Sequence, residues 1–281
     1  MLSQISDTYP KAEKIQIALL RRAGIAERFS KIRSLSRTVI QLSRRAISRA
    51  NPGLSKEESN LLFIRHHYGR DIADCIHNYL RKEINMKDSD ILAAIKPVTA
   101  AFEKLGISYY IGGSVASSAY GTARATLDVD IVSDLKILHV HSLVKLLESA
   151  YYIDEDMILD AIRRCFSFNL IHLETMLKVD VFILKDSSYN NEAFQRRRKD
   201  TLDEDENAAE FYLVSPEDII LNKLEWYRLG GGVSERQWND VLGVIKVQEN
   251  SLDRHYLRHW ASDLKISQLL EQAFCDAGVK F

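Results

Sequence analysis

Two apolar runs interrupted by acids, DVDIV from Asp128 and KVDVFIL from Lys178, leave this 281-residue chain few ways to fold. Both read as short strands, rich in β-branched residues and alternating with period two. In such a strand Asp128 and Asp130 point to one side, while Val129 and Ile131 point to the core on the other. Two adjacent carboxylates repel, and burying them unpaired costs several kcal/mol or forces one to protonate. A divalent cation between them resolves the conflict, and oxygen-only ligands suit Mg²⁺ with one or two carboxylates plus phosphate oxygens. Asp180 sits alone in the second run and brings a third carboxylate to the same edge if the two strands are neighbours.

Upstream, YYIGGS from Tyr109 closes another apolar run with a glycine pair. Gly112, Gly113 and Ser114 lead from a strand into a helix predicted at Val115–Tyr120, with Ser114 as its N-cap. Glycines let backbone approach a ligand closely, and amides at a helix start attract anions. A phosphate cradle and a metal-binding acid pair thus lie within one stretch, which suits a nucleoside triphosphate (NTP) with Mg²⁺.

Gly-Gly-Ser, a spacer, Asp-hydrophobic-Asp and a lone Asp on a later strand resemble the DNA polymerase β-type nucleotidyltransferase superfamily. GTARATLDVDI and LVSPEDIILNKLEWYR resemble its minimal prokaryotic branch, including the AbiEii-like, toxin-type transferases. The resemblance spans roughly residues 91–250. It implies that Asp128, Asp130 and Asp180 hold two Mg²⁺ ions, with Asp180 alternatively a base, while an acceptor hydroxyl attacks the α-phosphate of an NTP. It also implies phosphate or nucleotide contacts for Gly112, Gly113, Ser114, Arg124 and Lys223. Arg236 and Asp240 match more loosely a basic-then-acidic motif on a later helix. Gln237 departs from the lysine expected beside them.

The rest of the chain is read around that core. Net charge is −1, yet residues 1–50 hold eleven Lys/Arg against three acids, leaving 27 basic and 36 acidic residues elsewhere. A basic region of this kind is an RNA or tRNA footprint, or it docks on the protein's own acidic part or on a partner protein. Periodicity predicts successive helices through residue 87. In one of them Ile32, Leu35, Val39, Leu42 and Ala46 form the apolar stripe. That helix ends at Asn51-Pro52-Gly53, a capping box at Ser55/Glu58 opens the next, and a further one runs from Asp71 to Lys82. The organisation expected is a basic helical module (1–87), an α/β (α+β) nucleotidyltransferase core with a mixed sheet (88–214) and C-terminal helices closing the cleft (215–281). Within the core, strands are expected at Phe166–Leu170 and Val179–Leu184, and Lys185–Glu210 is expected to be a loop with at most a short helix. Arg196-Arg197-Arg198 reads as a solvated charge run, and Gly230-Gly231-Gly232 as a link between helices.

No apolar run reaches membrane-spanning length, and the three cysteines have no metal or disulfide spacing, so a cytoplasmic protein is expected. The activity expected is Mg²⁺-dependent transfer of a nucleoside monophosphate from an NTP to an RNA or tRNA end, with a toxin-like role in view. A protein or a small antibiotic is the alternative acceptor. From another class, a catalytically silent nucleotide-binding or antitoxin-like partner binder remains open.

Overall fold

The computed structural model describes residues 9–79, 90–203 and 208–281. The helices α1 (Pro10–Arg22), α2 (Ile25–Ala50), α3 (Lys56–Tyr68) and α4 (Arg70–Tyr79) come first, followed by α5 (Ile91–Lys104). Then come β1 (Tyr109–Ile111), α6 (Gly113–Tyr120), β2 (Asp128–Ser133), α7 (Val140–Leu147), β3 (Tyr151–Tyr152) and α8 (Glu155–Arg164). β4 (Ser167–His172), β5 (Lys178–Ile183), α9 (Ser188–Gln195), β6 (Arg198–Thr201) and β7 (Glu210–Leu213) complete the sheet. The chain closes with α10 (Pro216–Leu229), α11 (Glu235–Gln248), α12 (Arg254–Asp263) and α13 (Ser267–Asp276). No helix among the described residues is long and apolar enough to cross a membrane.

The fold is mixed α/β. Its seven strands run in the order β3-β4-β5-β2-β1-β7-β6. β2 lies parallel to β5 and antiparallel to β1, and β1 pairs in parallel with β7. Val129, Ile131, Val179 and Val181 are buried on one face of β2 and β5, as period-two alternation requires. One apolar cluster runs from Phe29, Ile40 and Phe63 of the leading helices through the strands to Leu257 and Phe274.

Local signals explain most boundaries. α2 ends at Ala50, before Asn51-Pro52-Gly53. The Ser55/Glu58 capping box forms with both of its hydrogen bonds. The expected helix at Asp71–Lys82 is α4. Its last three predicted residues, and the boundary placed between residues 87 and 88, lie outside the described residues.

Three readings are corrected. Residues 185–210 hold the one short helix allowed for, α9, but also the edge strand β6 and the start of β7 where a loop was expected. β6 (RKDT) offers no apolar alternation because it is a polar edge, with its first two residues exposed. The stripe of α2 is also different: Phe29, Ile32, Ser36, Ile40 and Ile47 face the core, and Leu35, Val39 and Leu42 are exposed. Ile32 is common to both stripes, and the buried one was hidden by the serine in its middle. Finally, Arg196 and Arg197 are half-buried rather than free in solvent, and only Arg198 of the run is exposed. Arg196 lies 3.8 Å from the centre of the Tyr256 ring and pairs with the buried Glu217, while Arg197 lies over Phe194 and Tyr212.

Candidate active site

The parallel register of β2 and β5 sets Asp130 directly beside Asp180, and Asp128 beside Lys178. All four side chains emerge on the half-buried face, opposite the valines and isoleucine. The three expected acids are therefore brought together. They are compensated unequally. Asp128 Oδ1 accepts from Thr126 Oγ1 at 2.7 Å, and Asp180 Oδ2 pairs with Lys178 Nζ at 2.6 Å. Burial first, then the charges of Asp128 and Asp180, push the Asp130 carboxyl up to about 6 against the pull of Lys223 and the Ser114 N–H. Burial also raises Asp180, against the pull of Lys178.

The glycine turn is built against this acid. Gly113 has φ +54°, and a Cβ placed on it would lie 1.6 Å from Asp130 Oδ2. Only glycine allows both the left-handed backbone and the close approach. The Gly112 N–H donates to the Asp130 carbonyl at 2.9 Å, locking the turn to β2. One detail departs from expectation: Ser114 is not the cap. α6 begins at Gly113 with Gly112 in the cap position and no side-chain cap bond. The Ser114 hydroxyl instead accepts from Arg124 Nη2 at 2.6 Å, with Arg236 Nη2 at 3.4 Å.

Behind Ser114 stands a buried ion network. Asp240 takes both Arg124 Nε and Nη2 at 2.7 Å, and Lys223 Nζ at 2.8 Å. Burial works to raise Asp240, but Arg124 and Lys223 outweigh it and hold this carboxyl below its ordinary range. Burial lowers Lys223, which is only 5% exposed and so is not a surface lysine. Its second contact is Gln237 Oε1, at 2.8 Å, which gives a use to the residue that departs from the expected motif. Arg124, Lys223, Arg236, Asp240 and Ser114 thus form one connected group at the start of α6.

Four further residues support the site without having been singled out by sequence. Ser36 of α2 accepts from the Thr126 N–H at 2.9 Å, and Tyr68 of α3 donates to the Leu127 carbonyl at 2.9 Å. The leading helices therefore hold the approach to Asp128. Thr126 and Lys178 are the other two, each two residues from an acid, a spacing that places Lys178 on the Asp180 face.

Among the described residues no group of three or more His, Cys, Asp or Glu side chains is set out to hold a metal ion. Fit to Mg²⁺ accordingly rests on donor chemistry. Asp128 and Asp130 are hard oxygen donors on one face, and burial, with the charges of Asp128 and Asp180 behind it, penalises the ionised Asp130 carboxylate, a penalty that a bound cation would offset. The chemistry open to this arrangement joins an acidic face, suited to cations, to an amide- and cation-rich helix start, suited to phosphates.

No protein-family model matches the chain, and no curated protein matches it. Among solved structures it is similar to the lincomycin-bound lincosamide antibiotic adenylyltransferase LnuA, with 14% identity, 58% of this chain and 99% of that one covered, and a TM-score of 0.38. An antigenic nucleotidyltransferase-like protein from Paracoccidioides brasiliensis aligns at 18% identity over 68% of this chain and 93% of its own, with a TM-score of 0.43. The antibiotic-resistance factor ANT(2'')-Ia aligns at 16% identity over 64% of this chain and 95% of its own, with a TM-score of 0.41.

Proposed function

We propose that the chain is a nucleotidyltransferase with a polymerase β-like core, moving a nucleoside monophosphate from an NTP to an acceptor hydroxyl. The observation that carries this reading is the direct pairing of Asp130 with Asp180 against the Gly113–Ser114 turn. Asp128, Asp130 and Asp180 would hold Mg²⁺, which when bound neutralises triphosphate charge and favours ionisation of the acceptor hydroxyl. The chain's own residues do the rest. Ser114 accepts from Arg124, which leaves its hydroxyl proton free to donate to a phosphate oxygen. Gly113 keeps the backbone close enough for amide contacts, and Lys223, Arg124 and Arg236 supply positive charge. Asp180 either shares the metal or, as the alternative, takes the acceptor's proton as the new bond to the α-phosphorus forms and pyrophosphate leaves. Its carboxyl is raised, and Lys178 at 2.6 Å holds it in place.

An RNA end, tRNA among the candidates, is the acceptor suggested by the basic leading helices. Arg28, Arg33 and Arg44 are turned inward onto Leu20, Asp90 and Thr175, and the exposed charge open to RNA lies on Lys11, Lys14, Arg22 and Arg37. A protein hydroxyl and a small antibiotic are the other acceptor classes. The AbiEii-like and toxin-type assignment rests on the sequence resemblance. A cytoplasmic location fits Cys75, Cys165 and Cys275, which are all free and exposed. One observation favours a catalytically silent reading: Lys178 already compensates Asp180 without a cation. Incubation with each α-labelled NTP, Mg²⁺, total RNA, cell protein and an aminoglycoside separates these readings. Label entering one acceptor class with the wild type, and not with Asp130→Ala, supports transfer and names the acceptor. Nucleotide binding with no label transferred overturns it.

A further inference from the structure

α2 carries two apolar stripes, and the fold uses only one. Leu35, Val39 and Leu42 are 44%, 40% and 58% exposed, and Ala46 is exposed as well. Scattered surface leucines need no explanation. These four, with Ile32 before them, instead recur at alternating three- and four-residue intervals, the seam spacing of a helix that packs lengthwise on another helix. The seam borders the buried stripe on one side. On the other, Lys31, Thr38 and Arg45 recur every seven residues and Arg49 follows, all of them exposed.

The charge along that border is one-sided. Glu27 is the only acid in α2, and it lies i,i+4 from Lys31 at 3.9 Å. Arg45 and Arg49 form no ion pair with any described residue, whereas the inward-facing Arg28, Arg33 and Arg44 all bond to the protein's own groups.

We propose that this face of α2 docks an amphipathic helix of a partner protein, with an apolar seam and Asp or Glu along its flank. The seam calls for apolar side chains, which a phosphate backbone lacks. A second copy of α2 would match the seam, but its single acid, Glu27, already faces Lys31 of its own helix at 3.9 Å, so the flank it offers to Arg45 and Arg49 is predominantly basic. The inference stands apart from the chemistry at the acids, since Ser36, which supports the Thr126 turn, lies on the buried stripe.

The test uses the full-length protein and two labelled synthetic helices of about three heptads, both with leucine seams, one flanked by glutamate and one by lysine. Fluorescence anisotropy is expected to show the glutamate helix binding about ten-fold or more tighter than the lysine helix, an advantage that shrinks in high salt. Leu35→Asp with Leu42→Asp abolishes binding with the melting temperature unchanged, and Arg45→Glu with Arg49→Glu reverses the preference between the helices. Equal binding of both helices, or binding unchanged by either variant, overturns the proposal. So does a wild-type dimer in light scattering that the leucine variant makes monomeric, which assigns the seam to a second copy. Binding of a short single-stranded RNA, with no binding of either helix, likewise overturns it in favour of nucleic acid.

Discussion

Replacing Gly113 by alanine is expected to disable the site without removing a single charged group. Gly113 has φ +54°, in the left-handed region, where an L-residue pays ~1–2 kcal/mol. The added Cβ would also lie 1.6 Å from Oδ2, 2.5 Å from Cγ and 2.7 Å from Cβ of Asp130. A rotamer change moves the first two atoms away, at ~0.5–1.5 kcal/mol, but not the third, so β2 or the start of α6 must shift. Together these give a loss of ~2–4 kcal/mol, the range of strained backbone combined with overpacking. A displacement of ~1 Å at Asp130 lowers transfer by ~100-fold. Gly112 provides the control for stability: its added Cβ meets only Tyr110 ring carbons, the nearer at 3.5 Å, and its φ of −122° lies outside the left-handed region. Urea denaturation and transfer of label from an α-labelled NTP are measured on both variants. If Gly113→Ala matches Gly112→Ala in stability and retains wild-type activity, the close packing of turn and acid is refuted.

Asp130→Asn tests the electrostatics. The carboxyl rises from 3.8 to about 6, worth ~3 kcal/mol at ~1.4 kcal/mol per pKa unit. Because the folded value is the higher, this group's stabilising contribution is complete below 3.8 and is lost as pH climbs through 6. The asparagine variant is therefore expected to be ~3 kcal/mol more stable than wild type above pH 7, converging with it near pH 4 in urea titrations; a less stable variant at pH 8 contradicts the assignment. Millimolar Mg²⁺ is expected to raise the melting temperature of the wild type and not of an Asp128→Ala, Asp130→Ala protein, as calorimetry will show. In the buried network, Asp240→Ala leaves Lys223 and Arg124 facing each other and should cost ~3–5 kcal/mol. Lys223→Met leaves Asp240 its paired Arg124 and should cost clearly less in the same denaturation assay.

The acids were legible in sequence because period two is a geometric rule: two residues apart in a strand means the same face, whatever the fold. Their meeting was less so, since the Asp130–Asp180 register depends on the pairing of strands about fifty residues apart. Lys178 obeyed the same rule as the acids and was readable by it. Ser36 and Tyr68 were not, because their hydrogen bonds reach across to residues 126 and 127 from helices far earlier in the chain. β6 was hidden by charge and edge position, and Arg196 by two arginine neighbours that made it look solvated. The α2 stripe failed instructively. Its 3-4-3-4 spacing is a true seam, but burial followed Phe29, Ile40 and Ile47, one helical face over.

The central claim is that Asp128, Asp130, Asp180 and the Gly113–Ser114 turn transfer a nucleotidyl group, and parallel reactions with α- and γ-labelled NTP test it most directly. The account predicts that α-label enters the acceptor while γ-label appears only as pyrophosphate, and that Asp130→Asn loses both signals. Transfer of the γ-label, or α-label transfer undiminished in Asp130→Asn, would contradict it.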